Sequence, residues 1–423
     1  MRVLVAGKGG REHALVSKLS IDGGVEAIFC CPGNPGMAKL ATCLPVAAND
    51  AEGLLAASRE HSIDLVVFGP EEPLIDGAGD LLRREGLTVF GPSARAAQLE
   101  GSKVFAKLFM RHHGIPTAGF EVYDSFSEAS KYVSGLGGPV VVKADGLAKG
   151  KGVIVCDGPE EAVVALKQIM VERIFGAAGE RILVEERLYG EEISVMAICD
   201  GKEYVLLPCS QDHKRVFDGD TGPNTGGMGA YCPVRWAGKD VMRVVESQVI
   251  RPVLSGMAEM EEPFTGVLYA GLMLTSDGPR VLEFNCRFGD PEAQAVLSSC
   301  RFDLGELLFG AARGRIDMTR RLEADSSSVC VVLCSRGYPG PYEDGKSILG
   351  LERLKNMEGV SVFHAGTTVE QGSLRTAGGR VLDVVAVKPT MEQAIATAYE
   401  AAGMVSFDGI HYRRDIGKKA WAR

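Results

Sequence analysis

Short apolar runs recur along the first hundred residues, each separated from the next by a stretch of mixed helical periodicity. Residues 3–5, 27–30, 65–68 and 88–90 read as strands, and residues 11–19 as a helix. Strands spaced by helices predict a doubly wound, Rossmann-like parallel sheet, whose ligands bind at the carboxyl ends of the strands. From about Gly101 the pattern changes. Residues 140–143 and 153–155 form two strands joined by a glycine- and lysine-rich loop, followed by a helix at 159–170 and a strand at 182–184. This is the pattern of a small α+β lid. Longer antiparallel strands follow, such as 192–198 and 267–274. Residues 325–328 (Asp-Ser-Ser-Ser) read as a linker. Beyond them, strands at 329–333 and 381–387 and a helix near 391–404 predict a smaller, mostly β, C-terminal part. The expected division is 1–101, 102–325 with the lid at about 121–188, and 326–423, giving an α/β fold class overall.

A length of 423 residues exceeds what one ordinary core supports, so several domains are expected. Glycine is abundant, at 53 residues, without a repeat or low-complexity tract, which places the excess in loops where backbone approaches a ligand. The net charge of −9 argues against nucleic acid as a partner. The eleven cysteines show no metal-ligand spacing, and their odd number argues against a disulfide framework. Buried reduced thiols are the expectation. With no charged leader, long apolar span or lipidation signal, the expected location is the cytoplasm, away from membranes.

Gly7, Lys8, Gly9 and Gly10 follow the first strand and open a helix. Glycines there let backbone N–H groups and the helix N-terminus face an anion, or they serve turn geometry alone. A dinucleotide is disfavoured. The third fingerprint glycine would fall on Glu12, and the second strand runs into Cys30, Cys31 and Pro32 with no acid for a ribose. The stretch from Lys143 to Gly152, with Lys149, Gly150 and Lys151, is not a Walker A loop, since no Ser or Thr follows its Gly-Lys and no helix begins there. It reads as a hairpin that folds lysines and glycine N–H groups over phosphates. Glu185 and Glu186 come directly after a buried strand, and Glu191 and Glu192 precede another. With the lid, they suit a nucleotide: backbone for the adenine edge and a carboxylate for ribose hydroxyls.

Residues 281–287 carry the sharpest pattern. Strand alternation places Glu283, Asn285 and Arg287 on one face and Leu282, Phe284 and Cys286 on the other. A carboxylate beside an amide oxygen is a pair of hard ligands suited to Mg²⁺, and the adjacent guanidinium suits a carboxylate or phosphoryl oxygen. Residues 210–229 read as a long polar loop, with a basic trio His213, Lys214 and Arg215 near its start, suited to a small anionic substrate. Of the seven histidines, only His213 is placed near chemistry.

Taken together, the lid, the double acid and the Glu-x-Asn-x-Arg strand resemble the ATP-grasp superfamily. More closely, the chain resembles the phosphoribosylamine–glycine ligase family. The matching runs include G-x-G-G-R-E-H-A at 7–14, P-G-N at 32–34, G-P-E-x-P-L at 69–74, Q-L-E-G-S-K at 98–103, K-A-D-G-L-A at 143–148, S-Q-D-H-K-R at 210–215, D-T-G-P-N-T-G-G-M-G-A-Y at 220–231, E-F-N-C-R-F-G-D-P-E at 283–292 and F-H-A-G-T at 363–367. They span essentially the whole chain. The resemblance implies ATP between the lid and the central region. Lys103, Lys143, Gly150, Lys151 and Gly152 would meet its phosphates, the segment Glu185, Glu186 and Leu188 its adenine, and Glu192 its ribose. Glu283 and Asn285 would hold Mg²⁺ or Mn²⁺. Gly7, Lys8, Gly9, Gly10, Asp212, Asn224 and Arg287 would bind the substrates glycine and 5-phosphoribosylamine, with Asp212, Lys214, Arg287 and Asp290 at the reacting groups. A transient contact with the enzyme supplying the phosphoribosylamine is also implied. The alternative is another ATP-grasp carboxylate–amine ligase. Lys8 departs from the family's usual Asn, Lys149 from its usual small residue, and the strand at 269–273 lacks the acid that the wider superfamily often places before Glu283.

Overall fold

The computed structural model describes residues 1–147 and 152–421. Its first sheet is parallel, in the order β3-β2-β1-β4-β5, built from β1 (Arg2–Gly7), β2 (Ala27–Pro32), β3 (Thr42–Cys43), β4 (Leu65–Phe68) and β5 (Val89–Phe90). The apolar run in β1 is explained by burial on both faces. Val3 and Val5 pack with Leu15 and Leu19 of α1 (Gly10–Leu19), while Leu4 and Ala6 pack with Leu54 and Leu82 on the opposite side. A crossover helix on each face leaves no side of such a strand wet.

The lid is a four-stranded antiparallel sheet in the order β6-β9-β7-β8, formed by β6 (Phe120–Tyr123), β7 (Val140–Ala144), β8 (Val153–Cys156) and β9 (Ile182–Glu186). Its core side chains, among them Val142, Val184 and Ile182, pack against Ala129, Val133, Ala162 and Leu166 of two helices. The second of these is α-helical over Pro159–Leu166 and then widens into a π-helical turn, Lys167–Val171, so the expected helix to residue 170 changes its hydrogen bonding before its end.

The central sheet runs β17-β16-β10-β11-β18. Its long strands are β10 (Glu191–Asp200), β16 (Thr265–Thr275) and β17 (Gly278–Asn285), with β11 (Tyr204–Leu206) and β18 (Arg320–Arg321) at the far edge. A last sheet, β12-β15-β19-β23-β20, combines strands from distant parts of the chain. It joins β12 (Gln211–Asp212) and β15 (Gly229–Cys232) to β19 (Ser327–Ser335), β20 (Val360–His364) and β23 (Arg380–Lys388), and the helix Met391–Met404 packs on it.

Three expectations are corrected. Residues 325–328 are not a linker: Ser327 and Ser328 open β19 fully buried, and Ser328 donates its hydroxyl to the Ala295 carbonyl at 2.7 Å. Residues 210–229 are not one loop. They hold β12, a hairpin of β13 (Arg215–Phe217) with β14 (Thr221–Asn224), and β15. The hairpin is fastened to the end of the chain by Arg413, which is fully buried, pairs with Asp220 at 2.8 Å and donates to the Arg215 carbonyl at 3.0 Å. Finally, Leu282 does not share the face of Phe284 and Cys286. The β16–β17 register pairs Gly271 with Glu283 but Leu272 with Val281, leaving Leu282 as the extra residue of a bulge. The bulge lets Val281, Phe284 and Cys286 all enter the core, which strict alternation forbids.

Candidate active site

The polar face of β17 survives the bulge. Asn285 and Arg287 lie on one side, with Arg287 Nη2 3.2 Å from Asn285 Oδ1. Arg287 is the centre of a fork. Its Nε lies 2.9 Å from Glu71, which directly precedes the short helix after β4, and its Nη2 lies 2.9 Å from Glu100, on the helix Gln98–Gly101. The second Glu100 oxygen accepts the Cys286 backbone N–H at 2.6 Å. Burial opposes the charge on Glu71, but the Arg287 and Arg11 guanidiniums override it and hold the carboxyl at about 2. Glu100 sits deeper. Burial raises it to about 7 against the pull of Arg287, with Glu71 adding to the rise. The guanidinium expected to meet a substrate oxygen is thus already engaged by two carboxylates. Neither acid was singled out from the sequence, although both lie inside matched runs, G-P-E and Q-L-E-G-S-K.

Lys214 gathers a second cluster. Its Nζ lies 3.2 Å from Glu192 and 3.8 Å from Glu283. Burial works against its charge, but Glu192, Asp212 and Glu283 together raise its pKa well above the ordinary lysine value, so it remains an ammonium. Burial raises the Asp212 carboxyl to about 7; Lys214 pulls it down, while Glu292, Glu192 and Glu283 push it further up. For Glu283 the balance is reversed. Burial is overcome by Lys214, Lys103, Lys143 and Arg287, and the carboxyl falls below its usual range. The Glu283 side chain keeps 36% exposure, so solvent screens these fields. His213 points away from this cluster. It is 1% exposed, its ring nitrogens have no hydrogen-bond partner among the described residues, and burial, with Arg413 and Lys419, lowers it to about 4. Its expected place near the chemistry is therefore corrected: neighbouring residues on an extended backbone face opposite ways.

Among the described residues no group of three or more His, Cys, Asp or Glu side chains is arranged to hold a metal ion. Glu283 and Asn285 still fit a hard divalent cation as a partial set. They offer one carboxylate and one amide oxygen at neighbouring positions, leaving the remaining ligands to phosphate and water oxygens.

Under the lid, Lys143 Nζ lies 2.9 Å from Glu185 and donates to the Leu282 carbonyl at 3.1 Å, while Lys103 donates to the Gly146 carbonyl at 3.1 Å. The Glu185 carboxylate is turned inward onto lysines, and Glu186 accepts the Gly119 N–H at 2.8 Å. The sheet ladder ends at Glu186, so the backbone of Arg187 and Leu188 leaves the sheet there. Gly152 accepts the Ala144 N–H at 2.9 Å. Lys149, Gly150 and Lys151 lie outside the described residues.

The first glycine turn does more than leave N–H groups open. Gly7 has φ +133°, and a Cβ there would come within 2.5 Å of Glu12. Glu12 accepts the Gly9 N–H at 2.5 Å, so that donor is already used. A Cβ on Gly10 would fall 1.8 Å from Asp383 Oδ2, on β23. The Lys8 side chain is exposed, and its carbonyl accepts Asn34 Nδ2 at 2.9 Å. Asn34 also donates to the His364 carbonyl at 2.7 Å, and the His364 N–H donates to His13 Nδ1 at 2.8 Å. Burial, helped by His364 and Lys39, lowers His13 to about 3, which keeps that nitrogen an acceptor. The runs at 7–14, 32–34 and 363–367 thus meet as one weld between the two ends of the chain.

Asp290 adjoins this weld. It accepts Gln294 Nε2 at 2.8 Å and lies 3.3 Å from Arg380, which also donates to the carbonyls of Asp290 and Gly226, both at 2.8 Å. Asn224, at the end of β14, is paired with Arg215 across the hairpin, two residues before Gly226. Gln294, Arg380 and Asp383 were not foreseen. A single acid inside the apolar strand 381–387 was the available signal for Asp383.

Comparison with known proteins follows this architecture. The profiles described as the phosphoribosylglycinamide synthetase N domain, ATP-grasp (A) domain and C domain match residues 1–100, 101–293 and 328–419. A phosphoribosylamine–glycine ligase of Halalkalibacterium halodurans is 47% identical over 423 residues, covering 100% of this chain and 98% of that protein. The crystal structure of phosphoribosylamine–glycine ligase from Thermotoga maritima superposes with a TM-score of 0.86 at 36% identity, covering 98% of this chain and all of that one. The biotin carboxylase domain of Hydrogenobacter thermophilus 2-oxoglutarate carboxylase, solved with MgADP, shares the fold at TM-score 0.75 and 17% identity, covering 97% and 91% of the two chains. The chain belongs to the phosphoribosylglycinamide synthetase family.

Proposed function

We propose that this chain is an ATP-dependent carbon–nitrogen ligase that joins glycine to 5-phosphoribosylamine, giving glycinamide ribonucleotide, ADP and phosphate in purine biosynthesis. The observation that carries the reading is the gathering of cations about Glu283 and Asn285: Lys214 Nζ lies 3.8 Å from Glu283, Lys143 donates to the adjoining Leu282 carbonyl at 3.1 Å, Arg287 donates to Asn285 at 3.2 Å, and with Lys103 they hold the Glu283 carboxyl below its usual range. Such a concentration of positive charge around a hard-ligand pair suits a polyphosphate undergoing transfer. Lys103 and Lys143, with Gly150, Lys151 and Gly152 of the lid, take the phosphates; the segment Glu185 to Leu188 takes adenine, and Glu192 the ribose.

A carboxylate is a poor acyl donor. Glycine's carboxylate attacks the γ-phosphorus, ADP leaves, and glycyl phosphate forms. The ribosylamine nitrogen then attacks the acyl carbon and expels phosphate. Glu283 and Asn285 would hold a Mg²⁺ or Mn²⁺ ion, which would supply charge neutralisation to the polyphosphate. Lys214 stays cationic and steadies charge on the transferring group. Asp212, a buried carboxylate beside Lys214 whose hold on a proton burial strengthens, receives the proton that the amine loses. Arg287, tied to Glu71 and Glu100, and Asp290, tied to Arg380, act as fixed walls that position substrate beside Gly7, Lys8, Gly9, Gly10 and Asn224. Lid closure excludes the water that would hydrolyse the acyl phosphate.

The same reading divides the chain at about 101 and 325 and places it in the cytoplasm. Among the described residues no helix is long and apolar enough to cross a membrane. Its partners are small molecules, with a transient contact to the enzyme that makes the unstable amine. The test is a coupled assay with ATP, Mg²⁺, glycine and fresh phosphoribosylamine. ADP, phosphate and the amide should form together. ADP release that ignores glycine, or a preference for another amino acid, would overturn the assignment.

A further inference from the structure

Lys107 has no part in the ligation described above, yet it is the most buried lysine among the described residues, 2% exposed. It lies one helical turn after Lys103 on the helix Lys103–His112. Its Nζ lies 3.0 Å from Glu185 Oε2 and donates to Thr117 Oγ1 at 2.7 Å, and Thr117 in turn donates to the Val281 carbonyl at 2.6 Å. Lys143 Nζ approaches the same Glu185 oxygen, at 2.9 Å. The other oxygen, Oε1, is buried and has no hydrogen-bond partner among the described residues. Two ammonium groups therefore share one carboxylate oxygen, and the triad carries a surplus positive charge in a place closed to water.

We propose that Lys107 is a positioning residue: it keeps Glu185 paired whether or not nucleotide is bound, and so frees Lys143 to exchange Glu185 for a nucleotide phosphate. The proposal rests on the reading of Lys143 as a phosphate ligand. The two lysines are not equivalent. Lys107 is anchored by Thr117 to the edge of β17 and remains in place. Lys143 stands near the end of β7, where the lid hairpin begins, and among the described residues its one other bond is to a carbonyl. Without Lys107, the departure of Lys143 would strand a buried carboxylate, a state that proteins avoid strongly. That cost would be subtracted directly from nucleotide affinity.

The experiment measures MgATP binding to the full chain by titration calorimetry, without glycine or amine, in Lys143→Met, Lys107→Met, Glu185→Gln and the double variant Lys107→Met/Glu185→Gln. Lys107→Met should weaken binding at least ~10-fold, about 1.4 kcal/mol. In the Glu185→Gln background, where there is no carboxylate to strand, the same Lys107→Met change should cost less than roughly threefold, so the double variant binds about as well as Glu185→Gln alone and more tightly than Lys107→Met. A merely structural lysine predicts the reverse, with the double variant weaker than the single one. Unchanged affinity in Lys107→Met, or no rescue, overturns the proposal. If Lys143→Met itself leaves affinity unchanged, it is the phosphate role of Lys143 that fails, and the distinction is visible in that single arm. Should Lys107→Met not fold, Lys107→Gln, which keeps hydrogen-bonding capacity without the charge, carries the same expectation.

Discussion

Arg287 and Glu71 stand 216 residues apart in the chain and meet at 2.9 Å, joining the end of the central sheet to the turn after β4. With Glu100 on the other arm of the fork, a single guanidinium holds two carboxylates that are 19% and 6% exposed. Its removal takes the ion pair from both and leaves them only the weaker pull of Arg11. Arg287→Met should therefore cost about 3–5 kcal/mol of stability, the usual penalty for breaking a buried pair, together with turnover. Adding Glu100→Gln should recover part of the stability but none of the activity. Thermal unfolding and the coupled assay check both halves. A melting temperature equal to wild type in Arg287→Met would show the fork to be energetically idle.

Glu283→Gln keeps the shape of the proposed metal ligand and removes its charge. Turnover should fall at least ~100-fold, about 2.7 kcal/mol, with little change in melting temperature, since the side chain is one-third exposed. Raising Mg²⁺ should recover part of the loss. Near wild-type rates at ordinary Mg²⁺ would remove Glu283 from the site.

Gly10 is required by its neighbour rather than by its own backbone. A Cβ there would lie 1.8 Å from Asp383 Oδ2 and 2.8 Å from Gln294 Nε2. Gly10→Ala should destabilise the protein by ~1–3 kcal/mol, the range for overpacking a close-packed interior. Combining it with Asp383→Ala, which clears the space, should recover most of that loss. If the two substitutions simply add in thermal or urea unfolding, the clash is not the cause.

Asp383 also predicts a pH dependence. It is 1% exposed, its Oδ1 has no partner among the described residues, and burial, reinforced by Asp290, raises its carboxyl from 3.8 to about 7. Between those values the folded state retains a proton that the unfolded chain releases, so this residue's contribution to stability declines as pH rises from about 4 to about 7. Asp383→Asn removes that decline. Its melting temperature relative to wild type should grow across the same window and level off above it. A difference that stays constant from pH 4 to pH 8 would show that Asp383 does not titrate there.

The local pattern of residues carried the first sheet, the lid hairpin and the shared face of Glu283, Asn285 and Arg287, because strand and helix periods and glycine turns are properties of neighbouring residues. It also carried the family, through runs such as 220–231 and 283–292, whose length leaves little room for chance. Which carboxylates close on Arg287, why Gly10 admits no side chain, and how 211–232 enters one sheet with 327–388 were settled only by the packing of segments far apart in sequence. The bulge at Leu282 belongs with these: alternation reads a strand by itself, whereas the core it faces accepts Val281 and Phe284 together and so forces the extra residue out of register. Local periodicity sets what each element is; the burial of opposite charges and the filling of shared volume between elements decide which of them meet, and no single segment contains that information.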